Sequence, residues 1–303
     1  MPKKVLVVGG GPAGMEVARI AALRGHRVTL CEKRERLGGT AFFSSLVYPP
    51  NGKLVEYLVT QVRKLPIELR LGVEVDEKLV AELAPDVTVV AVGARREPPA
   101  IPGAERPMVL SGDDLRDLIT GDDPSVAREK LSLGQRALVG AGGLLGLGDR
   151  PELARSLSKR WMPVGKRVAI LGGGLVGCEL AEFLSERGRT VHVVEESAHF
   201  ASEMAMPRRA RVLYELREAG VELLRKTRTE EIRDGGVVVA NTEGERRTIA
   251  VDSVILAIGT VENRKLGESL AQLGGEVHLI GDCTGVGYLD GAFQDAARLG
   301  REI

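Results

Sequence analysis

The chain has 303 residues, 44% hydrophobic and 28% charged, which is ordinary for a soluble globular protein and leaves room for about two domains. Lys plus Arg equals Asp plus Glu at 42 each, so no net basic field recruits nucleic acid or an anionic membrane, and aromatics at 3% are too sparse for a base-stacking platform. No apolar run approaches the ~18 residues of a membrane span, and three scattered cysteines (Cys31, Cys178, Cys283) build no disulphide framework, so the expected location is the cytoplasm.

Residues 4–8, KVLVV, predict a buried parallel strand. Lys3 and Lys4 before VLVV resemble the start of a signal peptide, but Gly9 to Gly11, Pro12 and Glu16 break that run. The stretch from Met15 to Leu23 has helical spacing, and between strand and helix lies Gly9-x-Gly11-x-x-Gly14. Such a turn lets backbone approach a pyrophosphate, lets helix and strand pack closely, and aims a helix N-terminus at the anion. RVTLCE predicts a second strand ending at Glu32, eighteen positions after Gly14, where a carboxylate accepts ribose hydroxyls. In RERLGGT (34–40), Gly38 and Gly39 remove two side chains where backbone would pass the same pyrophosphate. DVTVVAVGA (86–94) is a further strand with a Gly ending.

Residues 111–164 read as a helical linker or insertion, with N-caps at Ser111 and Asp123 and a helix over 150–162 that carries Trp161. The first pattern then recurs. RVAIL (167–171) precedes Gly172-x-Gly174-x-x-Gly177, a helical stretch follows, and TVHVVEE ends at Glu195, again eighteen positions after the last Gly. DSVILAIGT (252–260) matches the earlier strand-plus-Gly ending. Near the C-terminus VHLI leads to Gly281-Asp282, and a helix is expected over 290–301, starting near Asp290 or Gly291. Two nucleotide-binding units in one chain predict two dinucleotides with electrons passing between them, one turn for a flavin and one for a nicotinamide. The four histidines (26, 192, 199, 278) have no metal-ligand spacing, and no metal is expected.

Together VVGGGPAG, Glu32, LGG at 37–39, AVGA at 91–94, IPG at 101–103, LGGGLVGCE, Glu195, AIGT and IGDC resemble the two-dinucleotide-domain flavoproteins. Within that group the sequence resembles the C-terminal FAD/NAD(P)H half of old-yellow-enzyme-like NADH:flavin oxidoreductases and 2,4-dienoyl-CoA reductases. The resemblance implies that Gly9, Gly11, Gly14, Glu32, Gly38, Gly39, Gly93, Gly281 and Asp282 hold FAD, Asp282 at a ribityl hydroxyl, with Pro12, Ala13, Lys33, Thr40, Ala91, Val92, Asp290 and Ala292 beside them. It implies that Gly172, Gly174, Val176, Gly177, Glu195 and Gly259 hold the nicotinamide nucleotide. Where that family has Ala-Thr-Gly, this chain has Ala91-Val92-Gly93, which removes a hydroxyl. No Arg or Lys stands at 195–199 to meet a 2′-phosphate, so NADH is the expected donor.

The expected fold is α/β, with two Rossmann-like domains: a discontinuous FAD domain (1–110 and 265–303), a helical insertion (111–164) and an inserted NAD(H) domain (165–264). The expected function is an FAD-dependent oxidoreductase that takes hydride from NADH and passes electrons to a partner subunit or acceptor. Hydride transfer itself needs no side-chain acid or base, so no catalytic residue is expected. The resembling reductases also carry an FMN-binding TIM barrel, which needs ~250 residues, and iron–sulfur cysteines. The 303 residues leave no room for the barrel and hold too few cysteines for a four-Cys cluster, so such a barrel chain is the expected partner. Two alternatives stay open: a component of an amine or N-methyl-compound dehydrogenase, and a non-catalytic nucleotide-binding subunit. No two cysteines are closer than Cys178 and Cys283, which excludes the CxxC-type pair of a disulphide reductase.

Overall fold

The computed structural model describes residues 1–120, 123–144 and 150–303, so positions 121–122 and 145–149 of the expected insertion lie outside the described residues. The chain divides into two compact units, Met1–Glu97 with Thr260–Ile303, and Pro98–Gly259.

In the first unit five parallel strands run in the order Glu276–Leu279, Val87–Val90, Lys4–Val8, Arg27–Glu32, Ile67–Leu71. Apolar side chains cover both faces of the central strands, which is why they read as continuous runs rather than alternations. Val5, Val7, Val28, Leu30, Val87 and Val89 pack against helices Pro12–Leu23, Pro50–Lys64 and Tyr288–Glu302. Leu6, Val8 and Cys31 face the other way, against Leu79, Val80 and Leu83 of helix Glu77–Leu83 and Leu266 of helix Lys265–Ala271. Each fully buried aliphatic side chain of this kind contributes roughly 1.5–3 kcal/mol.

The second unit repeats this order with Val109–Ser111, Ser253–Leu256, Arg167–Leu171, Thr190–Val194 and Glu222–Leu224, all parallel. An antiparallel meander follows, Thr227–Arg233, Gly236–Asn241 and Arg246–Ala250, and its Ile232, Val237, Val239 and Ile249 join one core with Ala169, Leu171 and Val254.

The expected boundaries at 110 and 265 are corrected to 97/98 and 259/260. Val109–Ser111 pairs with Ser253–Leu256 and so forms the edge of the second sheet, although its three residues are too short to announce a strand. The helices of 111–164 belong to the second unit instead of forming a separate linker. Ser111 and Asp123 act as N-caps: Ser111 Oγ accepts from Asp114 N, Asp114 accepts from Ser111 N, and Asp123 accepts from Ser125 N. The helix expected over 150–162 stops at Leu157, which puts Trp161 beyond it. Arg187 holds this end in place. Its wholly buried guanidinium donates to Ser158 Oγ at 2.8 Å, to Phe183 O at 2.7 Å and to Arg155 O at 3.3 Å, 3.4 Å from the Phe183 ring centroid.

Candidate dinucleotide sites

In the first unit Gly9 N donates to Cys31 O at 2.8 Å, which ties the turn to the end of the neighbouring strand. Gly14 lies so close to Gly9 O that a Cβ there would collide with backbone, so the helix can meet the strand only through glycine. At Gly11 a Cβ would meet nothing within 4 Å, which leaves the start of helix Pro12–Leu23 open. Glu32 is buried; its Oε2 accepts from Gly10 N at 2.6 Å and its Oε1 from Arg34 N at 2.9 Å. A carboxylate has about four lone-pair positions, so two remain for ribose hydroxyls. Gly38 N donates to Gly10 O at 2.8 Å, folding 37–39 back onto the turn, and Gly39 lies against Gly11 Cα. Lys33 and Thr40 are exposed beside it.

The second turn repeats these bonds. Gly172 N donates to Val194 O at 2.8 Å, Gly177 packs on Gly172 O, and Glu195 accepts from Gly173 N at 2.7 Å and Ser197 N at 2.8 Å. Ala201 N donates to Gly173 O at 2.7 Å, as Gly38 N does to Gly10 O. Leu37 covers Gly10 and Phe200 covers Gly173. Residues 200–203 thus repeat 37–40, but with Phe-Ala-Ser-Glu in place of Leu-Gly-Gly-Thr. Gly93 and Gly259 end their strand blocks with left-handed φ of 71° and 80°, and Val176 is exposed.

Beside the first turn, Gly281 N donates to Asp295 Oδ2 at 3.0 Å, and a Cβ on Gly281 would meet Ala13 Cβ at 3.1 Å. Asp282 Oδ1 accepts from Gly287 N at 2.9 Å and Tyr288 N at 3.0 Å, while no described residue bonds its Oδ2. Burial pushes the Asp282 carboxyl up from its ordinary range, against the pull of those two amides. The helix expected from Asp290 begins at Tyr288, so Asp282 rather than Asp290 receives its first amides. Asp290 is exposed and accepts from Gln294 at 2.8 Å, while Ala292 is buried near Gly281. Ala91 O faces Gly9 and Val92 follows it.

Residues 3–278 match the family model described as pyridine nucleotide-disulphide oxidoreductase. The chain belongs to this family. Family membership together with the relatives named below gives FAD and NADH as the cofactors of this oxidoreductase chain. Relatives include a bilirubin reductase of Mediterraneibacter gnavus, 32% identical over 93% of this chain and 37% of the relative. An NADH oxidase of Thermoanaerobacter brockii is 31% identical over 99% of this chain and 41% of its own length. A solved 2-naphthoyl-CoA reductase complex with 2-naphthoyl-CoA superposes on the whole chain with a TM-score of 0.80 at 28% identity, over 40% of its own length. This chain thus spans about two fifths of the length of each of these three proteins.

Despite the family's name, all three cysteines are buried and unpaired. The donor set fits a dinucleotide at the first turn: an open helix start over Gly11, an anchored Glu32 carboxylate, and the unshared Asp282 Oδ2. The second turn has the same backbone frame, with a carboxylate, that of Glu203, against Gly174. Sequence reasoning missed two residues here. Asp295, fourteen positions past Gly281, gave no signal beyond a polar residue on a helix. Glu203 would have been found by aligning the two blocks past their glutamates.

Proposed function

We propose that this chain oxidises NADH and delivers the electrons, through FAD, to an acceptor on a partner chain or domain. The observation that carries the reading is the duplicated frame, in which two turns and two carboxylates make the same backbone bonds. Bound FAD supplies the hydride acceptor. The first unit would hold it: Gly9, Gly11, Gly14 and the amides at the start of helix Pro12–Leu23 at the pyrophosphate, Glu32 at the adenosine ribose, and Asp282 Oδ2 at a ribityl hydroxyl. The second unit would hold NADH through Gly172, Gly174, Gly177 and Glu195. In this reading the protein contributes orientation and electrostatics, and no side chain moves a proton.

The relatives' greater length supports a partner that carries the final reduction, for which an FMN and iron–sulfur barrel is the leading candidate. Exposed Leu133, Leu138 and Trp161 on the insertion give such a partner apolar surface. A second reading, a component of an amine or N-methyl-compound dehydrogenase, is favoured by an N,N-dimethylglycine/sarcosine dehydrogenase of Chromohalobacter salexigens, 37% identical over 122 residues. The three unpaired thiols suit the cytoplasm.

Mass spectrometry of the protein purified under native conditions from its source, with identification of the flavin released on denaturation, tests this reading. FAD on this chain and a co-purifying FMN chain are expected. A co-purifying amine-oxidising chain would favour the second reading, and FMN alone, or no flavin, would contradict both.

A further inference from the structure

The two turns differ over the start of the helix that follows each. At Gly11 the space above the helix start is open, whereas at Gly174 the Glu203 carboxylate fills it, with Oε1 2.8 Å from where a Cβ would stand. Glu203 Oε2 accepts from Leu175 N, the first residue of helix Leu175–Ser185, at 3.2 Å. The loop holds it there. Ala201 takes a left-handed φ of 46°, unusual for alanine, and is fixed by bonds from its N to Gly173 O and from Met204 N to its own O. Phe200 lies over Gly173, and Arg209 Nε grips Phe200 O at 2.8 Å. An anion at a helix N-terminus is favoured by the free amides and the helix dipole, and a carboxylate satisfies both much as a phosphate does.

We propose that Glu203 is a tethered competitor of the nucleotide pyrophosphate at the second turn. This rests on reading that turn as the NADH site. The dinucleotide must displace the exposed carboxylate from Leu175 N for its pyrophosphate to reach the helix start. The arrangement weakens nucleotide binding at the second turn while the first, with Thr40 in the matching position, carries no such competitor. Glu203 therefore sets affinity for the phosphate part of the ligand and leaves the adenosine part untouched.

Titration calorimetry on the FAD-saturated protein tests this with two probes: ADP-ribose, which carries the pyrophosphate, and adenosine, which lacks it. Glu203→Gln and Glu203→Thr should each tighten ADP-ribose about tenfold, ~1.4 kcal/mol, with the adenosine Kd unchanged within about twofold. ADP-ribose affinity that is unchanged or weaker in both variants would overturn the proposal. So would equal tightening of adenosine, which would indicate a loosened loop. If neither the wild type nor either variant bound ADP-ribose, the reading of the second turn as a nucleotide site would fall as well.

Discussion

Asp282 Oδ1 receives the amide of Tyr288 at 3.0 Å and thereby holds Tyr288 at a left-handed φ of 57° where the last helix begins. One oxygen of Asp282 therefore builds the helix start, and the other takes no hydrogen bond from a described residue. Asp282→Asn keeps an acceptor for Gly287 N and Tyr288 N but loses the charge and the second acceptor. It should retain the wild-type Tm while flavin retention falls roughly ten- to a hundredfold, the ~1.5–3 kcal/mol of a charged hydrogen bond. Asp282→Ala should lose the flavin and also about 1 kcal/mol of helix-capping stability. Flavin occupancy after dilution, with thermal melts, separates the two. Full occupancy in Asp282→Asn would remove Asp282 from the flavin's contacts.

In the proposed NADH site, Glu195 sets which nicotinamide nucleotide is preferred. Placing a 2′-phosphate near its anchored carboxylate sets like charges together, which costs several kcal/mol in a recognition site. NADH should reduce the protein at least about tenfold more effectively than NADPH. Glu195→Ala should shrink that ratio and leave FAD content unchanged. Lys226 N donates to Ser197 O at 3.0 Å, so the Arg225–Lys226 segment runs beside this loop. A measured preference for NADPH in stopped-flow reduction would contradict this role of Glu195.

How legible this was depends on range. The turns, both glutamates and the Gly endings are local, because each needs a residue type at fixed spacing from a strand. The partition of the chain was not local. Val109–Ser111 joins the second sheet only because Ser253–Leu256 lies alongside it, and three residues carry no period of their own. The Phe200–Glu203 loop escaped notice because it keeps the bond from Ala201 N to Gly173 O while dropping the glycines that advertise the same loop at 38–39. The last helix begins two residues before Asp290 because its cap comes from Asp282, six positions upstream of Tyr288.

The cysteines should be inert in the folded protein. Burial pushes the Cys178 thiol up to about 12, with the Glu203, Glu195 and Glu179 carboxylates adding to it, and burial raises Cys31 and Cys283 as well. A thiol-specific reagent at pH 8 should leave the native chain unlabelled and modify all three residues after denaturation. Rapid native labelling of Cys283 would contradict this and place a reactive thiol beside Asp282.

His26 should give the fold an acid-sensitive edge. Lys3 N donates to its Nδ1 at 3.0 Å, which requires a neutral ring, and burial with the nearby Arg24 and Lys3 cations lowers its pKa below the usual value of about 6.5. The neutral form is favoured in the fold. Its contribution is therefore full above pH ~6.5 and is lost as pH falls through the lowered folded value. His26→Asn keeps an acceptor for Lys3 N but does not titrate, so its Tm should fall less than that of the wild type between pH 7 and pH 5. Parallel Tm curves would show that His26 does not carry this dependence.

The central claim is that one chain holds both FAD and NADH and passes hydride from one to the other. Anaerobic titration of the FAD-loaded protein with NADH, followed through the visible absorbance of the flavin, tests it most directly. NADH should bleach the flavin stoichiometrically, less so in Glu195→Ala at limiting NADH, and admitting an acceptor should reoxidise the flavin and restore its absorbance. A flavin spectrum that NADH leaves oxidised would contradict it.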